Sequence, residues 1–74
     1  MKSTIDARGL SCPQPVLMTL DEIKKTSENE ILVIVDNDAS KENVCRAVEN
    51  RGWKVMKIDE ENHAFHILVH RGMV

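Results

Sequence analysis

Cys12-Pro13-Gln14-Pro15 is the stretch whose residue types and spacing could do chemistry. Proline suits the first position of a helix, because the N–H it lacks would have had no intrahelical partner there. Pro15 still falls within the first turn and costs no intrahelical hydrogen bond. A helix starting at Pro13 makes Cys12 its N-cap. A thiol at that position faces the positive end of the helix dipole, which favours thiolate and so nucleophilicity. The backbone N–H groups of Gln14 and Val16 remain to point toward an anion, although the two prolines remove two of the usual donors.

A Cys-x-x-Cys redox pair carries its second thiol where this chain has Pro15. An adduct on Cys12 would therefore persist until an outside nucleophile arrived, which suits a carrier better than an oxidoreductase. On spacing alone the alternative stands that Pro-x-Pro is a helix-start device behind an inert, packed cysteine.

The elements that must position this cysteine read in the order β-α-β-α-β-β. Thr4 to Ala7 forms a short strand, followed by a loop through Gly9 and Leu10. From Pro13 onward, Val16, Leu17, Leu20 and Ile23 recur at helical spacing as one apolar stripe, with Lys24 and Lys25 in the last turn. Ile31 to Val35 is a continuous apolar run suited to a central, buried strand. Asp36-Asn37-Asp38 is a turn cluster; Asp38 or Ser40 caps a second helix running to about Asn50, and Gly52 suits its C-terminal cap. Trp53 to Ile58 and Ala64 to His70 are strands of a hairpin turning through Asp59-Glu60-Glu61-Asn62.

Two helices cannot cover both faces of a short four-stranded sheet. The expected fold is therefore α/β in the α+β sense: a two-layer sandwich, with a mixed four-stranded sheet and both helices on one face. Strand two is apolar at every position, so either Leu32 and Ile34 or Ile31, Val33 and Val35 lie on the uncovered face, joined by residues such as Leu68. Such a face suggests contact with a second domain, a partner or a second copy of the chain. If the first two strands are parallel, both helix starts fall on one sheet edge, and Cys12 shares a neighbourhood with the Asp36–Ser40 loop. Acidic residues close to Cys12 would raise its thiol pKa; turn and cap chemistry is their plainer role.

Bulk properties narrow the function classes. Residues 1–74 read as one domain, with little room for a deep substrate pocket. The net charge of −2, with both signs interspersed, lacks the basic footprint of a nucleic-acid binder. No run approaches the ~20 apolar residues of a membrane span. No apolar run of signal-peptide length follows Met1, so the cytoplasm and free thiols are expected. Cys45, beside Val44 and Val48, reads as a small core residue. His66 and His70 on a strand stand about 13 Å apart, too far to share an ion, and His63 falls in the turn, so no metal site is expected.

The run Asp6-Ala7-Arg8-Gly9-Leu10-Ser11-Cys12-Pro13-Gln14-Pro15 closely resembles the signature of the TusA/SirA-like sulfurtransferase family, and the likeness extends over essentially the whole chain. Asp36 to Val44 looks particularly like the TusA-like domain of the YedF selenium-metabolism branch. In that branch a second domain often follows, which would fit the abrupt ending Arg71-Gly72-Met73-Val74. The resemblance implies that Cys12 accepts sulfur as a persulfide from a cysteine desulfurase and relays it to an acceptor protein. The only prosthetic element would be that covalent sulfur. It implies Pro13 and Pro15, flanking Gln14, as the motif's scaffold, Gly9 as the turn of the loop, and Arg8 as a contact to the carried sulfur or a partner. Asp38 carries no functional weight, since some relatives have proline there. Family relays feed tRNA thiolation, molybdenum-cofactor or sulfur-oxidation pathways, with selenium handling in the YedF-like branch. The implied activity is thus a relay rather than a turnover enzyme with a small-molecule pocket. Three other readings stand beside it: a non-catalytic interaction or regulatory module, a selenium-handling domain, and a thiol-disulfide oxidoreductase pairing Cys12 with Cys45.

Overall fold

The structure, a computed structural model, describes residues 3–10, 14–27 and 29–72. Its elements are β1 (Ser3–Asp6), α1 (Gln14–Lys25), β2 (Glu30–Val35), α2 (Asp38–Asn50), β3 (Trp53–Glu61) and β4 (Ala64–Arg71). They form one four-stranded mixed sheet in the order β1-β2-β4-β3, in which β1 pairs parallel to β2 and the other pairs are antiparallel. The expected element order and two-layer architecture are both present.

Burial alternates along the central strand because successive side chains point to opposite faces. Ile31, Val33 and Val35 are fully buried under the helices, opposite Val69, Ile67 and Phe65 of β4. Leu32 and Ile34 are half-buried on the outer face, where Leu32 pairs with Leu68 and Ile34 with His66. Of the two assignments open from the sequence, the one placing Leu32, Ile34 and Leu68 outside is therefore correct. The core is completed by Ile5, Ala7, Val44, Val48 and Trp53.

Helix α1 is rotated by roughly a quarter turn from the expected stripe. Pro15 and Thr19, one turn apart, are its buried residues, with Val16, Met18 and Ile23 packed at their sides. Leu17, expected on the stripe, is 53% exposed. The reason is chemical: the Thr19 hydroxyl donates to the Pro15 carbonyl at 2.8 Å, so a polar residue enters the core with its hydrogen bond made. An apolar-periodicity count does not see such a residue.

The second helix is capped one residue before Asp38 and three before Ser40, the two expected caps. Asn37 is the N-cap, its side-chain oxygen accepting the Ser40 N–H at 2.7 Å. Asp38 lies in the first turn, and Ser40 is buried on the core line with Val44 and Val48. The Ser40 hydroxyl has no hydrogen-bond partner. Gly52, at φ +85°, takes the left-handed turn after the helix as expected. The β3–β4 turn is tighter than the acidic run suggested. Glu61 pairs with Ala64, leaving Asn62 and His63 at φ 53° and 64° as a two-residue turn of the I′ kind. Asp59 to Glu61 continue β3.

Candidate functional site

Beyond β1, the chain holds the sheet for one further residue: the Ala7 N–H donates to the Ile34 carbonyl at 2.8 Å. Two carboxylates then fix the loop. Asp6 receives the Arg8 guanidinium in a fork, Nε to Oδ1 at 2.9 Å and Nη2 to Oδ2 at 2.7 Å, and also accepts the Arg8 backbone N–H at 3.2 Å. Those side-chain and backbone hydrogen bonds lower the Asp6 carboxyl to about 2. Arg8 is pushed above its ordinary value, chiefly by its hydrogen bond to Asp6, with the charges of Asp6 and Asp36 adding to it. Arg8 was expected to meet the carried sulfur or a partner. In the structure its Nε and one Nη2 hydrogen go to Asp6, while the side chain stays half-exposed.

The second carboxylate comes from the other loop on the same edge. Asp36 Oδ2 accepts the Gly9 N–H at 2.7 Å, across 27 residues of chain, and Asp36 Oδ1 accepts from Asn37 Nδ2 at 3.3 Å. Gly9 sits at φ +79°, the left-handed region that glycine adopts without cost, with open space where a Cβ would stand. Parallel pairing of β1 and β2 brings these loops together, as the β-α-β reading required. The sequence pointed to Gly9 as the turn. It gave no sign that Asp36, rather than a neighbouring acid, would reach it, because the pairing depends on strand register.

On the far side of the loop, α1 begins at Gln14, which is exposed, while Pro15 is buried in the core. Cys12 and Pro13, the expected sulfur-bearing residue and first scaffold proline, lie outside the described residues, as does their separation from Cys45. Two exposed apolar residues bracket that segment in sequence, Leu10 at 36% and Leu17 at 53%.

Lys41, in the first turn of α2, was not singled out by its sequence context. Its ammonium lies 4.6 Å from the centroid of the Phe65 ring and 3.4 Å from Asp38 Oδ1, tying the helix start to the sheet. Cys45 lies along the same helix, packed at the side of the core. Burial pushes its thiol pKa up, the charges of Glu49 and Glu42 add to this, and Lys41 opposes it. A thiol kept protonated is a poor resolving nucleophile, in keeping with its reading as a core residue.

His63 occupies the β3–β4 turn. His66 and His70 both face the open side of the sheet, opposite Ile34 and Glu30 of β2. Among the described residues, no group of three or more His, Cys, Asp or Glu is placed to hold a metal, and no helix is long and apolar enough to cross a membrane.

This arrangement has relatives. A SirA-like protein from Desulfitobacterium hafniense, known from its crystal structure, superposes with a TM-score of 0.83 at 30% identity, covering 99% of this chain and 100% of the other. A Methanocaldococcus jannaschii protein named "Putative sulfur carrier protein" is 35% identical over 66 residues, 88% of each chain. An Aquifex aeolicus protein of the same name is 32% identical over 60 residues, which are 80% of this chain but 30% of its relative. The sequence profile of the family described as sulfurtransferase TusA matches residues 3–71. Fold and sequence agree, and the chain belongs to the TusA/SirA-like sulfurtransferase family.

Proposed function

We propose that this chain is a sulfur carrier that holds sulfur as a persulfide on Cys12, receiving it from a cysteine desulfurase and passing it to an acceptor protein. The observation that carries the reading is the Asp6–Pro15 run, with its lone thiol next to a helix start, in a chain that the sulfurtransferase TusA family matches over residues 3–71. Relatives named as sulfur carriers support the same role.

The chemistry needs no external oxidant. The Cys12 thiolate attacks the terminal sulfur of a persulfide on the donor's cysteine. One S–S bond forms on Cys12, the donor's S–S bond breaks, and the electron pair leaves with the donor's thiolate. In delivery the acceptor's nucleophile attacks the terminal sulfur on Cys12, and the Cys12 thiolate departs. Pro15 in place of a second cysteine leaves no internal thiol in the motif to discharge the persulfide early. Burial raises the Cys45 thiol pKa, which disfavours its thiolate as a competing nucleophile. Both exchange partners are proteins, and the exposed Leu10 and Leu17 offer them apolar contact on either side of Cys12 in sequence.

Incubation with a cysteine desulfurase and cysteine should add the mass of one sulfur atom to the intact chain, removable by a thiol reductant. The Cys12→Ser variant should gain nothing. Equal labelling of that variant would reject Cys12 as the carrier. No labelling of the wild type by any desulfurase of the same cell would reject the relay. The likeness to the YedF branch rests on the Asp36–Val44 segment alone. Repeating the assay with selenocysteine measures whether selenium is carried as well.

A further inference from the structure

We infer that Asp36 is the positioning residue of the sulfur-transfer loop, acting through the Gly9 amide; the inference rests on the carrier reading of Cys12. Between Ala7, the last residue bonded to the sheet ladder, and Gln14, where α1 starts, the described chain comprises Ala7 to Leu10. Within it, Arg8 turns back on Asp6, two residues away, and so fixes only its own turn. Beyond the Ala7 bond to the Ile34 carbonyl, the bond from Gly9 N–H to Asp36 Oδ2, at 2.7 Å, refers the loop to the start of the second helix.

Asp36 is itself held. Its other carboxylate oxygen accepts from Asn37 Nδ2, and Asn37 in turn caps α2 through the Ser40 N–H. The start of α2 is fixed to the sheet by buried Val44 and by Lys41 over Phe65. A continuous chain of contacts therefore runs from the α2 N-terminus through Asn37 and Asp36 to Gly9, three residues before Cys12.

The carboxylate suits this task better than a neutral acceptor placed by chance. An N–H bonded to a charged oxygen is held more strongly than one bonded to a neutral group. The Asp36 charge also acts on Arg8, which lies on the same edge. Transfer between two persulfide-bearing proteins requires the attacking and leaving sulfurs in line, and small misplacements of a reacting group are expensive in rate. A loop tethered to α2 at Gly9 restricts the chain three residues before Cys12, and the role needs no contact between Asp36 and the sulfur.

The test uses the full chain with Asp36→Ala and Asp36→Asn. Asparagine keeps an oxygen acceptor and removes the charge. Hydrogen exchange at the Gly9 amide, followed by NMR, reports the tether; delivery of sulfur from loaded Cys12 to a small thiol acceptor reports its consequence. In the wild type the Gly9 amide should exchange slowly. Asp36→Ala should speed that exchange and slow delivery, each about tenfold, and Asp36→Asn should restore most of both. An unprotected Gly9 amide in the wild type overturns the inference even if the alanine variant fails to fold. Faster exchange with unchanged delivery also overturns it, because the tether would then be only structural. Loading of Cys12→Ser would instead remove the carrier reading, an outcome that the Gly9 exchange rates do not mimic.

Discussion

Ile67 and Leu68 are neighbours on β4 that point to opposite faces, and together they test the two-layer reading. Ile67 is fully buried between Val33 of β2 and Ile58 of β3, under the helices. Leu68 is half-buried on the open face between Leu32 and Lys57. Ile67→Ala removes three carbons from a closed site, where the transfer and cavity terms together cost about 2–4 kcal/mol. Leu68→Ala removes a side chain that already meets solvent. Full burial of a leucine is worth about 1.5–3 kcal/mol, so a half-buried one should cost about 1 kcal/mol.

At about 0.05–0.15 kcal/mol per residue a domain of 74 residues has some 4–11 kcal/mol of stability. The first substitution therefore threatens folding and the second does not. In melting temperature the two losses correspond to roughly 8–32 °C and roughly 4–8 °C. Trp53 is the single tryptophan and is 3% exposed, so its fluorescence reports urea unfolding directly. Both variants and the wild type should unfold at midpoints independent of protein concentration. A Leu68→Ala loss as large as that of Ile67→Ala would refute the reasoning. So would a midpoint that rises with concentration, because the outer face would then be covered by a second copy.

Further predictions concern the loops and caps. Asn37→Ala should cost about 1 kcal/mol through loss of the α2 cap, whereas Ser40→Ala should be neutral or stabilising by up to about 1 kcal/mol, since it removes a buried hydroxyl without a partner; opposite signs in urea unfolding establish which residue is the cap. His63→Gly should stabilise by up to about 1 kcal/mol, because glycine meets the left-handed φ of 64° without strain, and an unchanged unfolding midpoint would argue against a I′ turn. The Asp6 carboxyl, at about 2 against an ordinary 3.8, should titrate near the lower value by NMR and return toward the higher in Arg8→Gln. A depressed folded pKa means that this contribution is fully present above about pH 4 and is lost as pH falls toward 2, so Arg8→Gln should flatten the acid limb of the stability curve. Cys45→Ala should leave persulfide loading intact, since the Cys45 thiol is held protonated at the side of the core; loss of loading there would reopen a two-thiol mechanism.

What could be read in advance follows the range of the forces involved. Strand β2 was legible because five consecutive apolar residues have one common explanation, and both helices because apolar residues at helical spacing and turn residues at their ends are local in sequence. The rotation of α1 was not legible. It depends on Thr19 entering the core by bonding to the Pro15 carbonyl, an energetic detail that hydrophobic periodicity scores as polar and therefore exposed. The choice of Asn37 over Asp38 or Ser40 as cap turned on one to three residues of phase, within which competing capping groups are nearly equal. The Gly9–Asp36 bond was out of reach for another reason: it joins residues 27 apart whose meeting is set by the register of β1 against β2.

The motif around Cys12 can now be divided by what each part is fixed to. Pro15 is anchored in the core from the α1 side, buried and with its carbonyl taken by Thr19. Gly9 is anchored from the β1 side, through Asp36 to the α2 cap. Cys12 lies three residues from each anchor in sequence. That symmetry gives a physical reason for a proline at 15 and a glycine at 9, independent of any contact either makes with sulfur. The proline restricts the backbone where the helix enters the core, and the glycine lets the chain turn where a carboxylate holds it. A small domain can hold both ends of a short segment in this way, and on the carrier reading of Cys12 the partner protein supplies the rest of the site.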